Sequence, residues 1–477
     1  MTVVKFTCIA SCMLLLLLSN INSAYSQTEA QKTLTVSEFI EIVKQYHPLA
    51  KQANLLSKEA QAQLLIAQSG WDPKIYSNYT NKTFDGNNYY SYFENKLSIP
   101  TWYGVDLYAG YDFSEGKYLN PENTLPNDGL GYIGISIPLA RNLVLDKQRA
   151  SLKQARIFRE SNEQERILQL NDLLLSALTA YAEWSYAYNE YSVYKEAVRV
   201  AKLRFDATKV TVEYGDRSAI DTVEALTQLQ QRKFQYNEAL LHFWNTGLEV
   251  SNYLWLENDL PRGIDTTIIP NAILPVNLND EIKLSKLEEL SEQLKLSHPA
   301  LLNYNFKLNQ LNIERKLKIE SLKPLLNFNY NLLLEDFKFQ SNPEPIYTNN
   351  YKLGINFTMP LTFMQGRGEL KLTNLKIQET KLAFDYKQQE LLNKLKTYYN
   401  ELVILKQQIQ LYEETIKSFK QLLDGETARL SNGESSLFLV NTRENRYLES
   451  QIKLSELQSK YFKTEASYKW TIGTIYK

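Results

Sequence analysis

The sequence of 477 residues lacks several of the groups on which enzyme and metal sites usually depend. It has two cysteines, Cys8 and Cys12, and both lie in an apolar N-terminal segment. The remainder of the chain therefore has no thiol for a disulfide, a cysteine metal site or a nucleophile. Histidine is almost as scarce, with His47, His242 and His298 as the only three.

Other absences exclude further classes of protein. The formal net charge is −1, so no basic surplus favours nucleic-acid binding. After the N-terminal segment no stretch approaches 18 consecutive apolar residues, so no membrane-spanning helix is predicted and any spanning element would be a strand. No phosphate-binding loop and no recognisable spacing of titratable residues occurs. The sequence predicts no enzyme, no catalytic residue, no cofactor and no metal site.

Residues 1–26 have the features of a secretory signal peptide. Lys5 precedes the apolar run MLLLLL at residues 13–18, and Ala24-Tyr25-Ser26 ends the segment with small residues at the positions that signal peptidase reads. We predict cleavage before Gln27. An uncleaved anchor is the alternative, but the apolar run is short for a membrane span.

The rest of the chain contains the same plan twice. The His-Pro pairs at His47 and His298 are each followed by a further proline, Pro73 or Pro324, and the spacing is the same in both cases. Three later landmarks recur at a single constant offset: Arg149 and Arg367, Gly215 and Gly433, Ser218 and Ser436. Constant offsets that change only in steps indicate a duplication with an insertion between the landmarks.

The predicted organisation follows from these offsets. After the signal peptide, the first repeat spans 27–255, with strands within about 73–138 and a helical hairpin at about 145–255 whose tip lies near 215. A linker follows at 256–283. The second repeat spans 284–477, with strands at about 324–360 and a helical hairpin at about 367–470 whose tip lies near 433.

The long helical stretches have the spacing of coiled coils. Apolar residues alternate at intervals of 4 and 3 over Leu391, Leu395, Tyr398, Leu402, Leu405, Ile409, Tyr412, Ile416, Phe419 and Leu423. The equivalent positions of the first repeat, from Leu173 to Phe205, are also apolar. Each helix would be about 100 Å long, which favours a rod or a tube over a single globular core. Glycine then ends each helix, and Ser218-x-x-Asp221 fits a capping box that starts the next.

In two short stretches the polarity of successive residues alternates, as it does in half-buried strands. In Asn327–Leu334 and Tyr351–Met359, apolar and polar residues alternate over a length that suits a membrane barrel strand. The predicted lipid-facing side chains are Phe328, Tyr330, Leu332, Leu353, Ile355 and Phe357. A water-soluble antiparallel sheet with one solvated face is the alternative.

One pair of strands per repeat cannot close a barrel, and open sheet edges are not tolerated in lipid. We therefore predict that copies associate, and three copies would supply about twelve strands. The first repeat contains additional strand candidates at Tyr76–Thr80, Tyr92–Ile99 and Tyr103–Phe113. Tyr92–Ile99 and Tyr103–Phe113 could enlarge the barrel, extend the external loops or pack beside the barrel, and of these we expect extended loops or strand extensions.

The duplicated order of helix, strands and helical hairpin resembles the TolC family of outer-membrane efflux proteins over nearly the whole mature chain. The resemblance rests on the His-Pro landmarks, the proline-ended strands at Ile137-Pro138 and Met359-Pro360, and the turns YGDRSAID (Tyr214–Asp221) and NGESSLFL (Asn432–Leu439). It implies a mainly α protein with β strands, in which long coiled-coil hairpins form a periplasmic α-barrel and antiparallel strands form a shared outer-membrane β-barrel of a trimer.

The resemblance also implies a function. Such proteins are passive exit ducts of tripartite efflux or type I secretion systems, in which a periplasmic adaptor protein connects the homotrimer to an inner-membrane pump. By the same resemblance, Gly215, Ser218, Asp221, Gly433 and Ser436 would lie at the periplasmic tips, where the adaptor docks and the entrance closes. Asp221 could serve at the constriction, as a helix cap, or as both. A secreted coiled-coil scaffold without a channel is the alternative function.

Overall fold

The computed structural model describes residues 32–215, 217–264, 268–271, 274, 284–335 and 349–476. The predicted signal peptide, much of the predicted linker and the predicted external loop at Ser341–Pro345 lie outside these residues. The described helices are α1 (Val36–Tyr46), α2 (Pro48–Gln68), α3 (Lys147–Glu213), α4 (Ala219–Ser251), α5 (Leu284–Ser297), α6 (Pro299–Glu320), α7 (Met364–Ser431) and α8 (Leu437–Thr471). The described strands are β1 (Lys32–Leu34), β2 (Lys74–Phe84), β3 (Asn87–Pro100), β4 (Asp106–Glu115), β5 (Leu130–Pro138), β6 (Ile268–Pro270), β7 (Leu325–Leu334) and β8 (Tyr351–Thr358).

The order of elements repeats the same plan in both halves. The long helices α3 and α7 have 67 and 68 residues, and the return helices α4 and α8 have 33 and 35. Each long helix follows a short helical pair and a set of strands, as the constant offsets predict. No helix within the described ranges combines the length and the apolarity that crossing a membrane would require.

The long helices pack through the apolar residues that occupy the predicted heptad positions. Most of the predicted seam of α7 is buried, including Leu391, Leu395, Leu402, Leu405 and Ile409. The equivalent seam of α3 buries Leu173, Ala177, Trp184, Ala187 and Ala201. The prediction of a heptad seam is confirmed, because side chains 3 and 4 residues apart share one face of a helix.

The described chain divides into two compact units. One comprises residues up to His47, Ser176–Asp280 and Leu402–Ala466; the other comprises Pro48–Leu175, Glu281–Glu401 and Ser467 onwards. In the first unit, β1 and β6 form a parallel pair that contains part of the predicted linker. The hydroxyl of the buried Tyr181 donates to the Leu34 carbonyl at 2.6 Å and accepts from the Asn271 N–H at 3.0 Å, which fastens both strands to α3.

Among its described residues, the second unit contains an antiparallel sheet of six strands in the order β2-β3-β4-β5-β7-β8. The expectation of loops or strand extensions in the first repeat was therefore wrong. Tyr92–Ile99 lies within β3, and most of Tyr103–Phe113 lies within β4, where both strands pair along their length with their neighbours. A loop would leave these backbone groups to water, whereas strand pairing satisfies them inside the sheet.

The two faces of this sheet differ in chemistry. The register places Phe328 opposite Ile355, Tyr330 opposite Leu353, and Leu326 opposite Phe357. On the other side of β7 the register continues the same face with Ile137, Ile135 and Ile133. The opposite face carries Asn327, Asn329 and Asn331 together with Gly134 and Ser136. The predicted alternation is confirmed, and all six candidate lipid-facing residues share one face.

The His-Pro landmarks start helices. Pro299 occupies the first turn of α6, and His298 is its N-cap, with Nδ1 accepting a hydrogen bond from the Ala300 N–H at 3.2 Å. The imidazole is 2% exposed, and burial lowers the pKa of His298 to about 4, with a smaller contribution from the positive charge of Lys387. A neutral ring is required for capping because a protonated Nδ1 cannot accept a hydrogen bond.

This cap makes stability depend on pH. Below the unfolded-state pKa of about 6.5, the unfolded chain binds a proton at His298 that the folded chain excludes. We therefore expect the free energy of unfolding to fall by about 3 kcal/mol between pH 6.5 and pH 4. The variant His298→Asn keeps a capping side chain without titrating. Chemical unfolding at pH 7 and pH 4 should show a smaller loss in the variant, and equal losses in both proteins would contradict the assignment.

Candidate functional site

The candidate site lies where each long helix turns back, at the first tip (residues 214–221, of which 216 is not described) and the second tip (residues 432–439). Both predicted glycines adopt left-handed backbone conformations, with φ of 82° at Gly215 and 78° at Gly433. At the second tip the Gly433 N–H donates to the Leu430 carbonyl at 3.2 Å and the Glu434 N–H donates to the Arg429 carbonyl at 2.9 Å. This paired pattern ends a helix and favours glycine, which has no Cβ to clash.

The two serines cap their helices differently. Ser218 is the N-cap residue of α4, but its side chain makes no capping hydrogen bond. The predicted capping box at Ser218-x-x-Asp221 was therefore wrong, although the position of the helix start was right. Asp221 lies in the first turn of α4, where its charge complements the positive end of the helix dipole. Ser436 does cap, since its Oγ accepts from the Leu439 N–H at 3.4 Å.

Replacing Gly433 with alanine tests the tip geometry. An added Cβ would meet no atom within 4 Å, so only the left-handed backbone opposes it, at a cost of about 1 kcal/mol. We expect faster hydrogen exchange of the amides at the second tip in Gly433→Ala. Gly425 lies inside α7 and has equally open surroundings, so Gly425→Ala should slow exchange there through better helix propensity. If hydrogen exchange changed in the same direction in both variants, the assignment of a left-handed backbone requirement to Gly433 would be wrong.

The beginnings of the two return helices meet through polar side chains. The Asn441 amide, about one turn beyond the second tip, donates to Glu224 Oε1 at 3.2 Å, just beyond the first tip. Arg204 of α3 donates to Asn441 Oδ1 at 3.0 Å and to Glu444 Oε2 at 2.6 Å. The Glu444 side chain is 8% exposed and that of Arg204 is 21% exposed, so solvent screens this ion pair little.

Arg232 extends this arrangement along α4. It is 3% exposed and donates to Gln235 Oε1 at 2.8 Å and to the Asn445 side chain. Burial lowers the pKa of its guanidinium, and the nearby Glu444 carboxylate partly offsets that effect. We call Arg204, Glu224, Arg232, Asn441, Glu444 and Asn445 the polar network. It carries two positive and two negative charges, so it is neutral as a whole.

The second tip has its own charged contact. Glu426 of α7 is buried, and its Oε1 accepts a hydrogen bond of 2.5 Å from the hydroxyl of Ser435 across the turn. Arg429 and Arg443 each place a guanidinium nitrogen 3.8 Å from this carboxylate. These contacts hold the end of α7 against the start of α8.

Sequence reasoning found the tips but missed the polar network. The signal was present in the heptads of the return helices. In α4 the buried positions Ala225, Leu229 and Arg232 follow the 4-3 spacing, so an arginine occupies a core position. In α8 Leu437, Asn441, Glu444 and Leu448 follow the same spacing and are all buried. Polar residues at seam positions specify register and partner helices at a cost in stability.

Several of the titratable side chains that the structure describes near the tips are engaged in the contacts given above. Within the described residues, no group of three or more His, Cys, Asp or Glu side chains is arranged to hold a metal ion. His242 Nδ1 lies 3.0 Å from Glu190 Oε2, and the ring of His47 stacks on Tyr253 at a centroid distance of 5.8 Å. Both histidines are thus engaged in contacts within the first unit.

Comparison with known proteins relates this geometry to a family. The sequence profile of the outer membrane efflux protein family matches residues 290–470. A comparison with curated protein sequences finds no match.

Solved structures match over most of the chain. The CmeC outer membrane channel of Campylobacter jejuni has 15% sequence identity and a TM-score of 0.64, covering 92% of this chain and 85% of its own. The outer membrane protein VceC of Vibrio cholerae has 15% identity and a TM-score of 0.65, covering 92% and 95%. The open-state MtrE outer membrane channel of Neisseria gonorrhoeae has 14% identity and a TM-score of 0.65, covering 91% and 88%.

These similarities are to channel proteins rather than to enzymes. At such low identities the solved structures establish the fold, and the family profile matches the second repeat. The duplicated plan extends the same architecture to the first repeat. Residues 290–470 match the outer membrane efflux protein family, and the chain has the TolC-like fold that its sequence predicts.

Proposed function

We propose that the chain is the outer-membrane exit duct of a tripartite efflux or type I secretion system, through which small molecules or proteins leave passively. One observation carries the proposal: a single chain joins duplicated heptad hairpins to an antiparallel sheet with one apolar face. The hairpins would form a periplasmic conduit and the sheet would form part of a membrane pore. A pump elsewhere must supply the energy.

An exposed apolar stripe on α4 supports association of three copies. One face of α4 is buried within the first unit at Ala225, Leu229, Ala239, Phe243 and Val250. Another face exposes large apolar side chains at near-heptad spacing, namely Ile220, Val223, Phe234, Leu241, Trp244 and Leu248. Such a patch on a helix is unfavourable in water, and a second copy with the same heptad spacing would cover it.

The apolar face of the sheet supports an outer-membrane location. Leu353, Ile355 and Phe357 on β8 are 51%, 62% and 63% exposed in the single chain. Lipid is the partner that such an outward face requires in a barrel whose polar face lines water. We assign Phe328, Tyr330 and Leu332 of β7 to the same lipid-facing surface. An outer-membrane location also requires export of the chain, which we assign to the N-terminal signal peptide.

The tips are the proposed meeting point with the periplasmic adaptor, and through it with an inner-membrane pump. Gly215 and Gly433 make both turns tight, while Ser218, Asp221 and Ser436 place polar groups at the helix starts. The polar network would hold the return helices together at this entrance. We assign the five residues to docking and to closure of the entrance.

An acidic side chain at the second tip tests the docking assignment. We expect Gly433→Glu to reduce export by about tenfold, because it combines backbone strain with a new charge at the docking surface. Gly368→Glu is the matched control, since Gly368 lies near the start of α7, far along the helix from the second tip, and has no atom near its Cβ position. Export would be measured as cellular accumulation of a fluorescent pump substrate. Unchanged accumulation in Gly433→Glu would reject the assignment.

Membrane fractionation separates the duct from the alternative, a secreted coiled-coil scaffold. A duct should be recovered from the outer membrane only with detergent, as a trimer that copurifies with an adaptor. Recovery of the mature chain from the soluble periplasm without detergent would favour the scaffold.

A further inference from the structure

The second unit contains a β-hairpin, β3–β4, that has no counterpart among the described residues of the second repeat. In the second repeat, β7 follows α6 and the next strand, β8, leads into α7. In the first repeat, β2 follows α2 and a short helical turn, but β5, rather than the next strand, leads into α3. The strands β3 and β4 are therefore inserted between the two that the repeat plan requires.

We infer that this inserted hairpin is part of the membrane wall, so that each copy supplies six strands and the trimer closes a barrel of about eighteen. The inference rests on the proposed function, because it assumes the trimeric duct. It differs from the twelve strands that the repeat plan alone would give.

The length and pairing of the inserted strands suit a wall. The strand β3 has 14 residues and β4 has 10, against the 9 to 11 that span a bilayer at the usual tilt. Their register runs without interruption from Ser91–Glu115 to Pro100–Asp106. The strand β4 then pairs with β5 from Asp106–Ser136 to Asp112–Leu130. The sheet is thus continuous through the hairpin.

The faces of β4 match those of the repeat strands. Leu107 and Ala109 lie opposite Ile135 and Ile133, on the face that carries the candidate lipid-facing residues. Tyr111 and Phe113 continue this face along the strand, while Asp106, Asp112 and Ser114 lie on the other. On that polar face the Lys96 ammonium lies 3.7 Å from the Tyr108 ring centroid. On β3, Phe93, Leu97 and Ile99 lie on the apolar face together with the polar Asn95, so the separation of faces is clearest in β4.

The turn between β3 and β4 is fastened at the helical end of the sheet. Trp102 in this turn stacks on Trp71 at a centroid distance of 4.1 Å, and Trp71 Nε1 donates to the Thr101 carbonyl at 3.2 Å. Gly104 in the same turn, with φ of 80°, lies so close to Arg149 that an added Cβ would be 2.8 Å from Nη2. Because Arg149 is in the first turns of α3, the hairpin crosses the sheet to the end where the helices begin.

Six strands per copy also allow three copies to close a barrel. Among the described strands, β2 pairs only with β3 and β8 only with β7, so these are the two edges of the sheet. With six alternating strands, the edges run in opposite directions, and β8 of one copy can pair antiparallel with β2 of the next. Barrel diameter grows roughly linearly with strand number, so the pore would be about 1.5-fold wider than with twelve strands.

Cysteine pairs test the wall directly, because no cysteine lies between Lys32 and Tyr476. The residues Ile75, Leu97, Ala109 and Ile133 occupy one row across β2, β3, β4 and β5. We expect Ala109→Cys/Ile133→Cys to form a disulfide within each chain. The pair Ile75→Cys/Ile133→Cys should remain reduced, because strands three apart are about 14 Å from each other. Disulfide formation by the second pair in purified trimers would overturn the inference.

Imaging by electron cryomicroscopy gives an independent readout. It distinguishes failure of the eighteen-strand barrel from failure of the proposed duct function. Removing residues 85–115 joins β2 to β5 through a connection similar in length to the one between β7 and β8. The native barrel should contain eighteen strands and be about 1.5-fold wider than that of the deletion variant. A native trimer with twelve wall strands would overturn the eighteen-strand barrel and leave the duct intact. A native chain that never forms a membrane trimer would overturn both.

Discussion

Replacing both Ile355 and Phe357 with lysine is expected to prevent the chain from assembling in the outer membrane. Both side chains lie on the apolar face of β8 and are largely exposed in the single chain. A lysine facing lipid near the bilayer midplane costs about 2–4 kcal/mol, so two would cost about 4–8 kcal/mol per copy. That loss is comparable to the whole stability of many folded domains.

The measurement is the fraction of chain recovered from outer membranes as a protease-resistant trimer. Asn356 lies between the two substituted positions on the same strand and belongs to the opposite, polar face. Asn356→Lys therefore adds a charge at the same depth but toward water, and it should assemble like the native chain. Normal assembly of the double variant would show that this face does not meet lipid.

Removing one member of the Arg204–Glu444 pair is expected to loosen the tips. In Arg204→Ala the largely buried Glu444 carboxylate and the Asn441 amide oxygen both lose a donor. Breaking a buried ion pair in this way costs about 3 kcal/mol after allowing for the partial exposure of Arg204. Hydrogen exchange of amides at the start of α8 should then accelerate about 100-fold, and the entrance should leak large solutes.

The paired variant distinguishes charge from packing. Replacing both Arg204 and Glu444 with leucine removes the pair without leaving a buried charge, so most of the protection should return. Arg199 and Glu196 form an ion pair of 2.6 Å on the same helix, with side chains 62% and 59% exposed. Arg199→Ala should change exchange little, because solvent screens an exposed pair. Equal effects of Arg199→Ala and Arg204→Ala would refute the role of burial.

Much of the fold could be predicted because its signals are periodic and local. The 4-3 spacing from Leu391 to Leu423 determines which face of α7 packs, whatever its partner helix. Gly215 and Gly433 mark the ends of the long helices because a left-handed residue after a helix favours glycine. The alternation in β7 and β8 assigns residues to two faces, since successive side chains in a strand point to opposite sides.

Other features depend on which elements meet. The polar network was missed because the heptads of α4 and α8 show which positions are buried but not that Glu444 of α8 meets Arg204 of α3, 240 residues away in sequence. The prediction of a capping box at Ser218 was wrong because a residue can occupy the N-cap position through its backbone conformation while its side-chain hydroxyl makes no capping hydrogen bond. The status of β3 and β4 was misjudged because single strands carry weak signals, and only pairing with β2 and β5 decides their place.

The sequence by itself determined the duplication, the long heptad helices, the glycine-ended tips and the two-faced strands, because each is set by residues close together along the chain. Only the tertiary structure decided that six strands form one sheet and that charged residues join the return helices at the tips. The physical reason is that hydrogen bonds between strands and ion pairs between helices depend on distances in space, which a linear spacing of residues does not specify.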